Sequence, residues 1–198
     1  TARKIVEVAG FPARPEQVIG SAQAAAEMVA GMSGQAFVLG GEGIRRALDA
    51  VGLSETDDPE QAAAVLGGLD RHLSYERLRD AALAIRRGAR FVATNTDKTF
   101  PTPRGLWPGA GAIVAAVAAA AGREPEVAGK PHEPIRRLVR SRLGPGPVYV
   151  VGDQPETDMA LARAENWTPV LVLTGVGDPA AVPPKLRPEM VVASLADL

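Results

Sequence analysis

The most legible chemistry in this sequence rests on Asp153 and Asp158 in VYVVGDQPETD and on Lys130 in AGKP. An apolar strand ending at Gly152 delivers Asp153 just past its carboxyl end, where ligands bind in open α/β sheets. Asp158 falls at a predicted helix start, with Thr157 available as its cap. Carboxylates on short loops suit Mg²⁺, which is commonly held by one or two of them and keeps its waters for a phosphate. Lys130, held between Gly129 and Pro131 ahead of a helix, could neutralise phosphate oxygens as a point charge. Each residue also has a plainer reading. Asp153 would then end a strand in a turn, Asp158 would favour a helix dipole, and Lys130 would be solvated. Spacing alone does not separate the two.

Other chemistries find little support. GGEG at 40–43 follows a strand and precedes a helix, but Arg46 stands where a dinucleotide fingerprint needs its third glycine. It also lacks the Lys-Ser/Thr ending of a P-loop, so a turn is the better reading. PGAG at 108–111 reads as a tight start for a closely packed helix. His72 and His132 have no partner at metal spacing. No serine sits in a G-x-S-x-G elbow. The basic stretch RRLVRSRL has no interleaved aromatics and reads as a solvated helix face.

These residues must be positioned by alternating strands and helices, the pattern of βαβ units around a mainly parallel sheet. Strands are predicted at 17–21, 36–39, 62–66, 90–94, 147–151, 169–174 and 191–193. Helices are predicted at 22–30 with Ser21 as cap, at 44–51, at 75–87 with Ser74 as cap, at 112–121 closed by Gly122, at 135–143 and at 159–165. NTDKTFPTPRGLWPG reads as a loop. PVYVV and PVLVLT are apolar without alternation, which predicts burial on both faces. The opening TARKIVEVAGF reads as an amphipathic helix already under way, with Ile5, Val6 and Ala9 opposite Arg3, Lys4 and Glu7 and a stop at Gly10. That beginning predicts further residues upstream.

Composition bounds the remaining classes. The 198 residues are 46% hydrophobic, enough for one sizeable core or a core plus a modest second domain. A net charge of −1 gives no general attraction to nucleic acid or anionic membrane. With no cysteine there is no disulfide framework and no thiolate chemistry. The longest apolar run, Ala112–Ala121, is half of a membrane span. A cytoplasmic globular protein is expected.

Taken in order, TNTD at 94–97, PGAG at 108–111, AGKP at 128–131, VGDQPETD at 151–158 and LVLTGV at 171–176 resemble the haloacid dehalogenase superfamily of phosphatases, subclass IIA. The resemblance runs from VIGSAQAAA to SLADL, and the ordered set is specific although each tetrapeptide alone is weak. It implies an α/β fold: a Rossmann-like parallel-sheet core with an inserted α/β cap. Residues 1–33 and 129–198 would form the core and residues 34–128 the cap.

By the same resemblance, Lys130 would bind the transferring phosphoryl group and the nucleophile. Asp153 would ligate Mg²⁺, with Asp158 supporting the metal from behind. Leu69, Asn95, Asp97 and Phe100 would face the leaving group. Relatives acting on pyridoxal phosphate tend to carry an aromatic and a His at the positions of Leu69 and Phe100, so a small polyol or hydroxy-acid phosphate is expected instead. The cap of this family often mediates dimerisation, which makes a homodimer the expected assembly.

The departures are the DxD nucleophile motif and the TNN phosphate segment, neither of which occurs here; Gln154 also replaces a commoner Arg or Asn. The expected function is Mg²⁺-dependent hydrolysis of a small phosphate monoester of the glycerol 3-phosphate or phosphoglycolate type, through an aspartyl-phosphate on an upstream Asp. The chain alone would be inactive. The alternative is a non-catalytic module or inactive fragment that binds a phosphate ester or a partner. In this fold the DxD strand lies beside PVYVV, so without it each buried unpaired backbone group would cost roughly 1–3 kcal/mol.

Overall fold

The computed structural model describes residues 2–10 and 12–198. The chain divides into two compact units, one up to Gly129 and one from Lys130 to Leu198. The first unit holds α1 (Ala2–Ala9), α2 (Ser21–Val29), β1 (Gln35–Leu39), α3 (Glu42–Ala50), β2 (Ala62–Gly67), α4 (Tyr75–Arg86), β3 (Arg90–Ala93), β4 (Thr99–Thr102), β5 (Gly105–Pro108), α5 (Ala110–Ala121) and β6 (Glu126–Val127). The second holds α6 (Glu133–Arg140), β7 (Tyr149–Gly152), α7 (Ala160–Glu165), β8 (Thr168–Val172) and β9 (Met190–Val192). Residues 21–33 pack with the first unit, where α2 lies on α3 and against β3. No helix among the described residues is long and apolar enough to cross a membrane.

The first unit is built on a parallel sheet in the order β1-β2-β3-β6. Side chains alternate along a strand, so Phe37, Leu39, Val65, Phe91 and Ala93 share one face. They meet Ala81, Ala84 and Ile85 of α4 and Ile113, Val114 and Val117 of α5 in one apolar cluster. The intervening Ala36, Val38, Ala64, Leu66 and Val92 are buried too, which is why these strands are apolar on consecutive positions. The Ser74 hydroxyl accepts the Arg77 N–H at 3.3 Å and starts α4 as expected. Gly122 closes α5 in the left-handed conformation at φ 68°, and its N–H donates to Ala118 O at 2.8 Å. The Arg90 guanidinium forks onto Glu126 at 2.7 and 2.8 Å, holding the short β6 to β3. Those bonds keep the Glu126 carboxyl below its usual pKa.

Three expectations need correction here. Residues 17–21 form no strand. Pro15–Gln17 is a 3-10 turn, and the Gln17 and Gln23 side chains accept the Arg14 and Gly20 N–H groups at 2.9 Å each, so local bonds replace strand pairing. Ser21 therefore opens α2 instead of capping it. The segment expected as a loop contains an antiparallel hairpin, β4 with β5, pairing Phe100 with Trp107. Its prolines are tolerated because a two-stranded ribbon is all edge. α1 ends as expected with the Gly10 N–H on Val6 O at 3.0 Å. The two-faced pattern expected for it includes Lys4 and Ala9, whose side chains lie outside the described residues, as does Phe11.

The second unit carries a parallel sheet in the order β7-β8-β9. β8 is central, and Val170, Leu171 and Val172 are buried. β7 was expected to be buried on both faces, but it is an edge strand of this sheet: Tyr149 is 56% exposed and its other residues are half-buried. The arginines of α6 are not simply solvated, as expected, either. Arg136 and Arg140 reach the buried Glu165 carboxylate of α7 at 3.0 and 2.5 Å, and both also pair with Glu133. This network ties α6 to α7, and Arg140 holds the Glu133 carboxyl below its usual range.

Candidate active site

Lys130, Asp153 and Asp158 come together in the second unit. β7 ends at Gly152, and Asp153 stands immediately beyond it. One Asp153 oxygen, Oδ2, accepts the Val176 N–H at 2.9 Å from the loop after β8. The other receives no donor among the described residues. That loop approaches very closely, since a Cβ on Gly175 would overlap the Asp153 carboxylate. From Gln154 the chain enters a π-helical turn, Pro155–Met159, that folds Asp158 back beneath the strand end.

Asp158 is 6% exposed. Its Oδ2 accepts the Gln154 N–H at 3.1 Å, and its Oδ1 accepts Lys130 Nζ at 2.6 Å. Gly152 is required beside it, because a Cβ there would overlap the Asp158 side chain. A buried carboxylate needs such partners to stay charged. The Thr157 hydroxyl donates toward Gln154 at 3.4–3.5 Å, and Gln154 stands at the N-cap of the turn without a side-chain cap, so Thr157 does not take the capping role expected of it. The Lys130 side chain, half-exposed, is thus anchored at one N–H while its remaining donors stay available.

The metal question turns on this division of labour. Asp158 has both oxygens engaged, and no group of three His, Asp or Glu side chains converges among the described residues. Asp153 keeps one oxygen for a ligand. This fits a hard cation held by a single protein carboxylate and completed by water and phosphate oxygens. A cavity of about 260 Å³ opens beside it, lined by Gln154, Glu156, Val176 and Asp178 among others.

The four residues expected to face a leaving group all lie in the first unit. Thr94, buried at the end of β3, donates its hydroxyl to Asn95 Oδ1 at 3.0 Å, and the Asn95 amide donates to the Asp97 carboxylate. The Gly111 N–H fixes this turn from the start of α5 through Asp97 O at 2.9 Å. Leu69, 37% exposed after β2, lines a cavity of about 700 Å³ at the carboxyl ends of β1 and β2. Phe100 packs edge-on to Trp107 at 6.3 Å and lies under the Arg71 guanidinium at 5.9 Å. Sequence reasoning missed Arg71, Trp107 and the Val176 N–H. For Val176 the only signal was the LTGV segment after a buried strand, which carries no functional side chain.

Residues 127–198 match the model of the HAD-hydrolase-like family. The chain is 39% identical over 199 residues to the D-glycerol 3-phosphate phosphatase of Mycobacterium tuberculosis, covering 96% of this chain and 56% of that protein. It superimposes on the crystal structure of a glycerol phosphate phosphatase from that organism in complex with magnesium, with TM-score 0.88, 38% identity, and 96% and 60% of the two chains covered. It also superimposes on p-nitrophenyl phosphatase from Archaeoglobus fulgidus, with TM-score 0.87 and 33% identity, covering 100% of this chain and 80% of that one. The chain belongs to the haloacid dehalogenase-like hydrolases, among the subclass IIA phosphatases. Magnesium is the cofactor of this family. The chain spans 56% of the length of the curated relative it matches.

Proposed function

We propose that this chain supplies the cap and the phosphate-binding half of a Mg²⁺-dependent phosphatase acting on a small phosphate monoester of the glycerol 3-phosphate or phosphoglycolate type. In this reading residues 34–128 are the cap, and residues 1–33 join 129–198 in the catalytic core. The observation that carries it is the linked arrangement at the end of β7. There Asp158 holds Lys130 while the Val176 N–H holds Asp153 with one oxygen free.

Asp153 would hold the metal, which when bound supplies positive charge against phosphoryl oxygens. Lys130 Nζ would donate to the same oxygens and favour the charge that develops during transfer. Asp158 keeps the ammonium aimed through its 2.6 Å bond, so little reorganisation is needed as the reaction proceeds. The attacking carboxylate would lie upstream, forming an aspartyl-phosphate that water then cleaves. The half-exposed edge of β7 supports an upstream strand as its neighbour. Asn95, Asp97, Leu69 and Phe100 would contact the leaving group.

The test is phosphate release by the full-length protein with Asp153→Asn beside it. The variant should lose at least ~100-fold in turnover and need far more Mg²⁺ to reach half its rate. Activity and metal requirement equal to wild type would contradict the reading. Ester binding without turnover in the wild type would favour the non-catalytic alternative.

A further inference from the structure

We infer that Val176, through its backbone N–H, limits Asp153 to one coordinating oxygen and so sets the site's preference for Mg²⁺ over a larger divalent cation. The inference rests on the phosphatase reading, in which Asp153 holds the metal, and it concerns the second unit alone.

A carboxylate can present one oxygen to a cation or both. Presenting both is hindered where one oxygen is already bonded to a donor and walled by backbone. At Asp153 the Val176 N–H donates to Oδ2 at 2.9 Å. The backbone of Gly175 packs on the same oxygen, since a Cβ there would overlap both Oδ2 and Cγ. Oδ2 is thus bonded and walled, while Oδ1 receives no donor among the described residues.

The loop that carries this N–H is fixed at both ends. Behind it Val170, Leu171 and Val172 are buried, and the Leu173 N–H donates to Val192 O at 3.1 Å. Ahead of it the Asp178 carboxylate accepts the Ala180 N–H at 2.9 Å and starts a 3-10 turn, Pro179–Ala181. Between these anchors Gly177 lies against the Asp153 carbonyl oxygen, where a Cβ would again overlap. Such close approach needs glycine at both positions. One contact on the side chain and one on the main chain keep the carboxylate from swinging both oxygens outward.

The two cations make different demands. Ca²⁺ takes roughly six to eight oxygens and often draws both oxygens of a carboxylate, whereas Mg²⁺ keeps a strict octahedral shell with several waters. Two neighbouring acids add nothing to a larger shell. Asp158 is spent on Lys130 and the Gln154 N–H, and Asp178 on the Ala180 N–H. A carboxylate held to one oxygen therefore serves Mg²⁺ and penalises Ca²⁺.

Val176→Pro deletes the N–H at a position whose side chain is 56% exposed, and Val176→Ala keeps it. Dissociation constants for Mg²⁺ and for Ca²⁺ would be measured by titration calorimetry on the full-length protein, with thermal melting followed by circular dichroism. Wild type should bind Mg²⁺ more tightly than Ca²⁺. Val176→Pro should shift the ratio of the two constants toward Ca²⁺ by about tenfold, and Val176→Ala should keep the wild-type ratio. Gly175→Ala crowds the same carboxylate off the N–H, so it should shift the ratio in the same direction and replaces the proline variant if that one does not fold. An unchanged ratio in either folded variant, or a wild type that prefers Ca²⁺, would overturn the inference, while Mg²⁺-dependent phosphate release by the wild type would leave the phosphatase reading standing. A wild type that neither binds Mg²⁺ nor releases phosphate would overturn both.

Discussion

Thr94 in the first unit and Asp158 in the second are the buried polar residues among those described, and they are satisfied by different means. Thr94 is neutral, sits at the end of a strand covered on both faces, and needs one short-range bond to Asn95. Asp158 is a carboxylate whose two oxygens are met by an ammonium and a backbone N–H. The first arrangement stiffens a loop at little electrostatic cost. The second pairs a buried carboxylate with a lysine whose side chain remains half-exposed. A unit with a doubly covered sheet can hold its loops by shape alone. On the proposed reading the second unit must hold charges, and there Arg136 and Arg140 tie α6 to Glu165 of α7.

The two tryptophans, Trp107 and Trp167, report the two units separately, so variants keeping only one of them can break this comparison. Asp158→Ala removes the partner of Lys130 and of the Gln154 N–H. Because Lys130 can rehydrate, the expected loss is about 2 kcal/mol, below that of a fully buried pair. The urea midpoint read by Trp167 should fall while that read by Trp107 holds. Thr94→Val removes one neutral hydrogen bond and should cost about 1 kcal/mol, shifting the Trp107 transition instead. Both transitions moving together in either variant would contradict the separation.

A smaller effect is expected from Glu126, which Arg90 holds below its usual pKa. A depressed carboxyl pKa means the pair stabilises the fold above the unfolded value of about 4.3 and loses that contribution as pH falls through the folded value. The Glu126 side chain is 55% exposed, so solvent screening limits the gain to a few tenths of a kcal/mol, roughly. Glu126→Gln should therefore be slightly less stable than wild type at neutral pH and converge with it in acid. A gap that stays constant with pH would show that the pair acts through packing alone.

What was legible in the sequence was whatever side chains announce by type and period. β8 reads as a central strand because five apolar or small residues run together, Ser74 reads as a cap, and Gly122 reads as a stop. GDQPETD places two acids at a strand end, and AGKP places a lysine before a helix. Less legible was everything that depends on a partner distant in sequence. β7 has the composition of a buried strand, but its burial depends on what lies beside it. The Phe100–Trp107 hairpin was masked by Pro101, Pro103 and Pro108, which look like loop residues until the ribbon is seen to have two free edges. Val176 contributes only its N–H, so no side chain could mark it. The role of Asp158 as the anchor of Lys130 spans 28 residues and emerges only when the π-helical turn folds it back.

The central claim is that Lys130, held by Asp158 beside Asp153, serves phosphoryl transfer. Inorganic phosphate released from p-nitrophenyl phosphate by the full-length protein, with Mg²⁺ and with the metal chelated, tests it most directly when Lys130→Ala is assayed alongside. The account predicts metal-dependent turnover in the wild type that falls by about 100-fold or more in the variant. Turnover that ignores chelation, or a Lys130→Ala protein as fast as wild type, would contradict it.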